Sequence, residues 1–82
     1  MTMETFFLIL TGVGARKFSG AKILEAREAL GLTREALAEM IKVTPRSIYN
    51  WEHGLFFPDA DDLAKLAGAL GRGVGWFFVE RE

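Results

Sequence analysis

The sequence predicts an all-α fold: a compact bundle of four or five helices, with an N-terminal extension able to form a β-strand. Three observations carry this reading. After Phe18, apolar residues recur at spacings of three and four. Helix-starting residues (Thr33, Thr44 with Pro45, Asp59) and helix-ending glycines (Gly31, Gly54, Gly71) punctuate that stretch at short intervals. The run richest in β-formers, Phe6-Phe7-Leu8-Ile9-Leu10, lies before it. A chain of 82 residues has room for one small domain. We divide it into an arm over residues 1–17 and a helical domain over 18–82.

The first helix is expected from about Gly20 to Leu30, with Ile23, Ala26, Arg27 and Leu30 on one face and Gly31 closing it. Thr33 then supplies a hydroxyl for the free amides of a second helix, which runs to Ile41 and buries Leu37, Ala38 and Ile41. Lys42-Val43 is the turn. Thr44 caps a third helix, and Pro45 fits its first position, where no amide donor is needed. On that helix Ile48 and Trp51 point one way, and Arg46, Tyr49, Asn50 and His53 the other. A fourth helix begins at Asp59. Its first turn holds Asp59, Asp61 and Asp62, where the helix dipole favours negative charge, and Leu63, Leu66, Ala67 and Leu70 form its apolar face. Val74 to Val79 reads as a short fifth helix or a strand.

Composition removes several classes of function. Half of the residues are hydrophobic and 26% are charged, which suits a folded domain rather than a disordered one. So small a core is expected to lean on oligomerisation. The chain has no cysteine, which excludes disulfides, thiolate zinc sites and cysteine nucleophiles. His53 is the only histidine and cannot build a metal site alone; no cofactor is expected. A net charge of −1 and a pI near 5.8 argue against a nonspecific basic coat on nucleic acid. A local basic face remains open. Phe6 to Leu10 is too short to span a bilayer, and Glu4 without upstream Lys or Arg is unlike a signal peptide. A cytoplasmic protein with no membrane partner is the expectation.

Phosphate-loop and catalytic readings fail on spacing. Gly12-Val13-Gly14 begins a dinucleotide fingerprint, but Lys17 stands where its third glycine belongs. Ala21 separates Gly20 from Lys22 and breaks the alternative. Ser47 and His53 lie six apart on one helix with no orienting acid, so no triad forms. The chain does not read as an enzyme.

Two short helices, a turn of a few residues and a polar outer face on the second helix form a helix-turn-helix. The second helix must be polar on one side to enter a major groove, and apolar on the other so that its neighbours hold it at a fixed angle. Taken alone, Arg46, Tyr49 and Asn50 would read as a solvated helix face. The surrounding residues change the weighing. Leu32-Thr33-Arg34-Glu35-Ala36-Leu37-Ala38, then Val43-Thr44-Pro45-Arg46-Ser47-Ile48-Tyr49-Asn50-Trp51-Glu52-His53-Gly54, resemble the phage lambda repressor and Cro family of regulators. The resemblance continues through Pro58, Leu63, Ala67 and Leu70 to Val74-Gly75-Trp76-Phe77-Phe78.

That resemblance implies a helical bundle that binds double-stranded DNA, usually as a homodimer on a pseudo-palindromic operator, and acts as a transcriptional repressor. By it, Arg46 and Asn50 are the leading base-reading residues, suited to guanine and adenine respectively. Tyr49 would meet a thymine methyl or a phosphate. Thr33, Arg34, Thr44, Ser47 and His53 match positions that touch the DNA backbone, and Lys42 would lie close to phosphate. Arg27 and Glu52 match an internal salt bridge between the first and third helices. Three residues depart from the family pattern: Lys42 where glycine is common, Arg34 where glutamine is usual, and Pro45 at a position that often reads a base.

The family does not explain Phe6, Phe7, Leu8, Ile9 and Leu10. This segment is too apolar to leave in water, and a lone strand leaves its backbone unpaired. Its candidate partners are its own copy in a second subunit and the segment Trp76 to Glu80, of its own chain or its partner's; we expect a pair across a dimer, and Trp76, Phe77 and Phe78 read as core or interface. Two other readings of the protein stay open: the DNA-binding antitoxin of a toxin–antitoxin pair, and a protein-interaction module that kept the fold and lost DNA binding.

Overall fold

Three helices begin with a side chain folded back onto the backbone. Thr33, Thr44 and Asp59 sit in extended conformation and accept hydrogen bonds from the amides of Ala36, Ser47 and Asp62. They start α2 (Arg34–Ile41), α3 (Pro45–Glu52) and α4 (Ala60–Leu70), after α1 (Ala21–Ala29). Strand β1 (Arg16–Phe18) precedes α1. A 3₁₀ turn over Val74–Phe77 follows α4 and leads into β2 (Phe78–Glu80). These elements come from a computed structural model that describes residues 16–80. The segment Val74 to Val79 is therefore part helical turn and part strand.

The two strands pair antiparallel, with Arg16 opposite Glu80, Lys17 opposite Val79 and Phe18 opposite Phe78. The Ser19 amide extends the ladder by donating to the Phe77 carbonyl at 2.8 Å. The Arg16 guanidinium donates to the Phe78 carbonyl at 2.9 Å. The N-terminal extension does supply a strand, but at Arg16–Phe18, and its partner is the C-terminal segment of the same chain. The boundary drawn between residues 17 and 18 falls inside it. Phe6 to Leu10 lie outside the described residues.

Each helix contributes its expected stripe to a single core. Ile23 and Ala26 come from α1, Leu37, Ala38 and Ile41 from α2, Ile48 and Trp51 from α3, and Leu66, Ala67 and Leu70 from α4. Leu63 packs against this core half-buried. Two placements differ from the sequence reading. Leu30, the residue that caps the end of α1, is exposed. The Leu30 amide donates to both Ala26 and Arg27 carbonyls at 3.2 Å, and its side chain stands outside the core. Phe77, expected among the dimer contacts, is fully buried in its own chain; it closes the core from the 3₁₀ turn and is not available to a second subunit.

Helix α1 starts at Gly20 with no side-chain cap. A Cβ at Gly20 would overlap the Trp51 carbonyl oxygen and lie 2.8 Å from that of Glu52. The first turn of α1 thus rests directly on the C-terminal carbonyls of α3, and only glycine permits it. In α4, by contrast, a Cβ on Gly68 would meet open space. Two substitutions of one chemical kind therefore have opposite signs. Gly20→Ala should lower stability by about 1–3 kcal/mol through overpacking. Gly68→Ala should raise it by about 0.5–1 kcal/mol through helix propensity. Thermal melts followed by circular dichroism read both.

Candidate nucleic-acid interface

The turn between α2 and α3 reverses the chain within a few residues. Lys42 adopts the left-handed conformation, φ 62° and ψ 45°. The Val43 amide then reaches the Ala38 carbonyl at 3.0 Å, satisfying a free carbonyl at the end of α2. Lys42 is the one residue other than glycine with positive φ among the described residues. Holding it there costs about 1 kcal/mol. Its side chain is exposed.

The angle of α3 is set from below by a buried carboxylate. The Glu52 side chain is only 1% exposed and accepts from two arginines. Arg27 Nε donates to Glu52 Oε2 at 2.7 Å and Arg27 Nη2 to Oε1 at 3.4 Å. Arg27 Nη1 donates to the Leu32 carbonyl at 2.9 Å. Arg34 Nε, from the first residue of α2, donates to Glu52 Oε1 at 2.8 Å. Three helices therefore meet on one acid. Among the described residues no buried side-chain nitrogen or oxygen lacks a hydrogen-bond partner. The hydrogen bond to Glu52 is the main cause that raises the Arg34 pKa above its ordinary value, so Arg34 stays a cation.

The opposite side of α3 is open. Arg46, Tyr49 and His53 are exposed and Asn50 is half-buried. Arg46 and Asn50 stand one helical turn apart. Among the described residues the side chains of both make no hydrogen bond. Tyr49 sits in a group: the guanidinium carbons of Arg34 and Arg46 lie 5.2 and 5.3 Å from its ring centroid, and the His53 ring lies 4.2 Å away. Thr33 and Thr44 hold their exposed hydroxyls at the starts of α2 and α3 as caps, and Thr44 Oγ1 also lies 3.1 Å from Ser47 Oγ. Each capping oxygen accepts from an amide, and a hydroxyl can still donate its own hydrogen.

The structure thus gathers Arg34, Arg46, Tyr49 and His53 at one place, and sets Thr33, Thr44 and Lys42 at the helix ends. Trp76 lies apart from this group, in the 3₁₀ turn packed on α1 and α4, and Phe78 in β2, paired with β1. Trp76 is half-buried, with Lys22 Nζ 4.7 Å and the Arg72 guanidinium carbon 4.5 Å from its ring. Three features escaped the sequence reading. One is the Arg34–Glu52 bond. Another is the close approach at Gly20. The third is the exposure of Leu55, Phe56 and Phe57, 58–68% each, just beyond α3; their signal was an unbroken apolar run in a loop. Phe57 meets the Phe18 ring edge-on at 6.2 Å.

Among the described residues no group of His, Cys, Asp or Glu is placed to hold a metal, and no helix is long and apolar enough to cross a membrane. Residues 23–77 match a family model described as helix-turn-helix. The chain belongs to the helix-turn-helix family. Within it the chain is of the lambda repressor and Cro type, a group of DNA-binding transcription regulators rather than enzymes. It is 38% identical over 61 residues to an uncharacterized HTH-type transcriptional regulator of Rickettsia conorii, a match over 74% of this chain and 49% of that one. It is 44% identical over 50 residues to another from Methanothermobacter thermautotrophicus, over 61% of this chain and 72% of that one. The P22 c2 repressor, solved in complex with a synthetic operator, matches with a TM-score of 0.71 at 26% identity, over 74% of this chain and 92% of that one. The chain spans about half the length of the rickettsial relative.

The Glu52 arrangement makes a testable asymmetry. Glu52→Ala leaves the Arg27 guanidinium buried and unpaired, so the variant should lose about 3–5 kcal/mol, a large share of a small domain's stability. Arg34→Ala removes a half-exposed partner and leaves the Arg27–Glu52 pair intact, so its loss should be much smaller. Urea denaturation of the two variants ranks them.

Proposed function

We propose that this helix-turn-helix protein binds double-stranded DNA sequence-specifically as a homodimer on a pseudo-palindromic operator, and represses transcription from the cytoplasm by occupying it. The observation that carries this is the two-sidedness of α3. One side is locked by Ile48, Trp51 and the buried Glu52. The other offers Arg46, Tyr49 and Asn50, and Arg46 and Asn50 have side-chain donors free of internal partners among the described residues.

In the complex α3 lies in the major groove. Arg46 pairs with guanine O6 and N7, Asn50 with adenine N6 and N7, and Tyr49 meets a neighbouring base edge. The amides at the starts of α2 and α3, the hydroxyls of Thr33, Thr44 and Ser47, and the cations Arg34 and Lys42 take the phosphates, with His53 at the C-terminal end of α3. Pro45 brings no side-chain donor, so few base contacts carry the specificity. Two subunits must set their α3 helices about 34 Å apart to enter successive major grooves. The apolar arm Phe6 to Leu10, with Trp76 and Phe78, supplies the association that holds this spacing. The exposed Leu55, Phe56 and Phe57 support an association surface of this kind. The P22 c2 repressor's complex with an operator supports the reading at the level of the family.

Two variants test it. An Arg46→Ala/Asn50→Ala double variant should melt like the parent and lose about 2–6 kcal/mol of specific affinity, two base contacts at roughly 1–3 kcal/mol each. Equal binding in a fluorescence-anisotropy titration would remove both residues from the interface. Lys42→Gly should be more stable by about 1 kcal/mol. It should also bind DNA more weakly, its log affinity falling less steeply with log salt by about 0.9 for the lost phosphate contact.

A further inference from the structure

We propose that Arg34 is a positioning residue for base readout: held by Glu52, it fixes the Tyr49 ring, and through that ring the base preference of α3. The inference rests on the DNA-binding reading above and deepens it. The starting point is a chain of constraint running outward from the core. Glu52 is 1% exposed in its side chain and pinned by Arg27 through two hydrogen bonds. Arg34 spends its Nε on the same carboxylate, at 2.8 Å. That bond sets the plane of a guanidinium on a long stem that would otherwise move freely. The same guanidinium lies over the Tyr49 ring, its carbon 5.2 Å from the centroid.

Tyrosine has only two side-chain torsions, so few neighbours suffice to fix its ring. Here Arg34 comes from α2, Arg46 lies 5.3 Å from the centroid one turn earlier on α3, and His53 lies 4.2 Å away one turn later. Arg46 and His53 ride on the same helix as Tyr49. Of these three neighbours, Arg34 is the one that ties the ring to another element and, through Glu52, to the core. A residue that only held phosphate would need its charge and its reach. Arg34 uses the geometry of a planar fork: one nitrogen takes the buried acid while the plane faces an aromatic ring. Lysine keeps the charge and cannot do both.

The test uses the intact chain and a pool of randomised duplexes. The sequence that the parent protein enriches is then varied one base pair at a time. Affinities are measured for the parent, Arg34→Lys, Arg34→Gln, Tyr49→Leu and the Arg34→Gln/Tyr49→Leu double variant. Each is checked for folding by its melting midpoint. We expect both Arg34 variants to lose about tenfold of discrimination at the base pair where Tyr49→Leu loses it, and little elsewhere. The double variant should be no worse there than Tyr49→Leu alone. Arg34→Lys should keep the parent's salt dependence. Should Arg34→Gln unfold, the Arg34→Lys arm decides by itself, since it preserves charge and phosphate contact. A uniform loss across all duplexes, with a shallower salt dependence for Arg34→Gln and full rescue by lysine, would make Arg34 a phosphate clamp and overturn the proposal while leaving the DNA-binding reading intact. A parent protein that enriches no sequence overturns both.

Discussion

The buried carboxylate of Glu52 is the constraint on which the presentation of α3 depends. A charge removed from water is costly unless every lone pair that matters is occupied, and here two arginines from two other helices occupy it. The cost of burial gives the arrangement directional force. Arg27 cannot leave without stranding an anion, and Arg34 adds a second tie to the same carboxylate, so α1, α2 and α3 are joined at one point in addition to their apolar contacts. Gly20 adds a steric counterpart, seating α1 against the last carbonyls of α3 with no room for a side chain. Apolar packing alone leaves a helix free to rotate or slide slightly, whereas a hydrogen-bonded charge pair fixes register and rotation. A helix that reads base edges requires that kind of fixation, since the donors must meet acceptors at defined positions.

Strain is tolerated where the site needs it. Lys42 stays left-handed in a turn where glycine would sit without penalty. Under the proposed reading a cation at this turn meets phosphate, a physical reason to accept about 1 kcal/mol of backbone cost. The helix ends Gly31, Gly54 and Gly71 show the ordinary solution to the same geometry. The turn therefore trades stability for an exposed cation between α2 and α3.

Much of this was legible in the residues alone, for definite reasons. Caps announce themselves chemically, and Thr33, Thr44 and Asp59 all accept the amide three residues on. Helical periodicity carried the core stripes of α2, α3 and α4. The pairing of Arg27 with Glu52, implied by the family resemblance, is present at 2.7 Å. What escaped was three-dimensional. Arg34 and Glu52 stand 18 residues apart on different helices, and no spacing rule brings them together. Leu30 has the right spacing for the α1 face, but at the end of the helix it lies beyond the elements that cover Ile23 and Ala26 and stays exposed. Phe77 lies between two half-buried aromatics, and only the tight 3₁₀ turn selects it for the core. Gly20 looks like any residue before a helix until the carbonyls beneath it are seen.

The proposed role of the core is to hold α3 so that its Arg46–Asn50 side, flanked by the starts of α2 and α3, meets DNA. Titration of ¹⁵N-labelled protein with a duplex that it selects, followed by the amide resonances, probes that contact residue by residue. The largest shifts are expected at Thr33, Arg34 and Thr44 to Asn50, with little change at the amides of the buried Leu66 and Leu70. Shifts centred instead on the loop from Leu55 to Phe57, or on Trp76 and Phe78, with Thr44 to Asn50 silent, would contradict it.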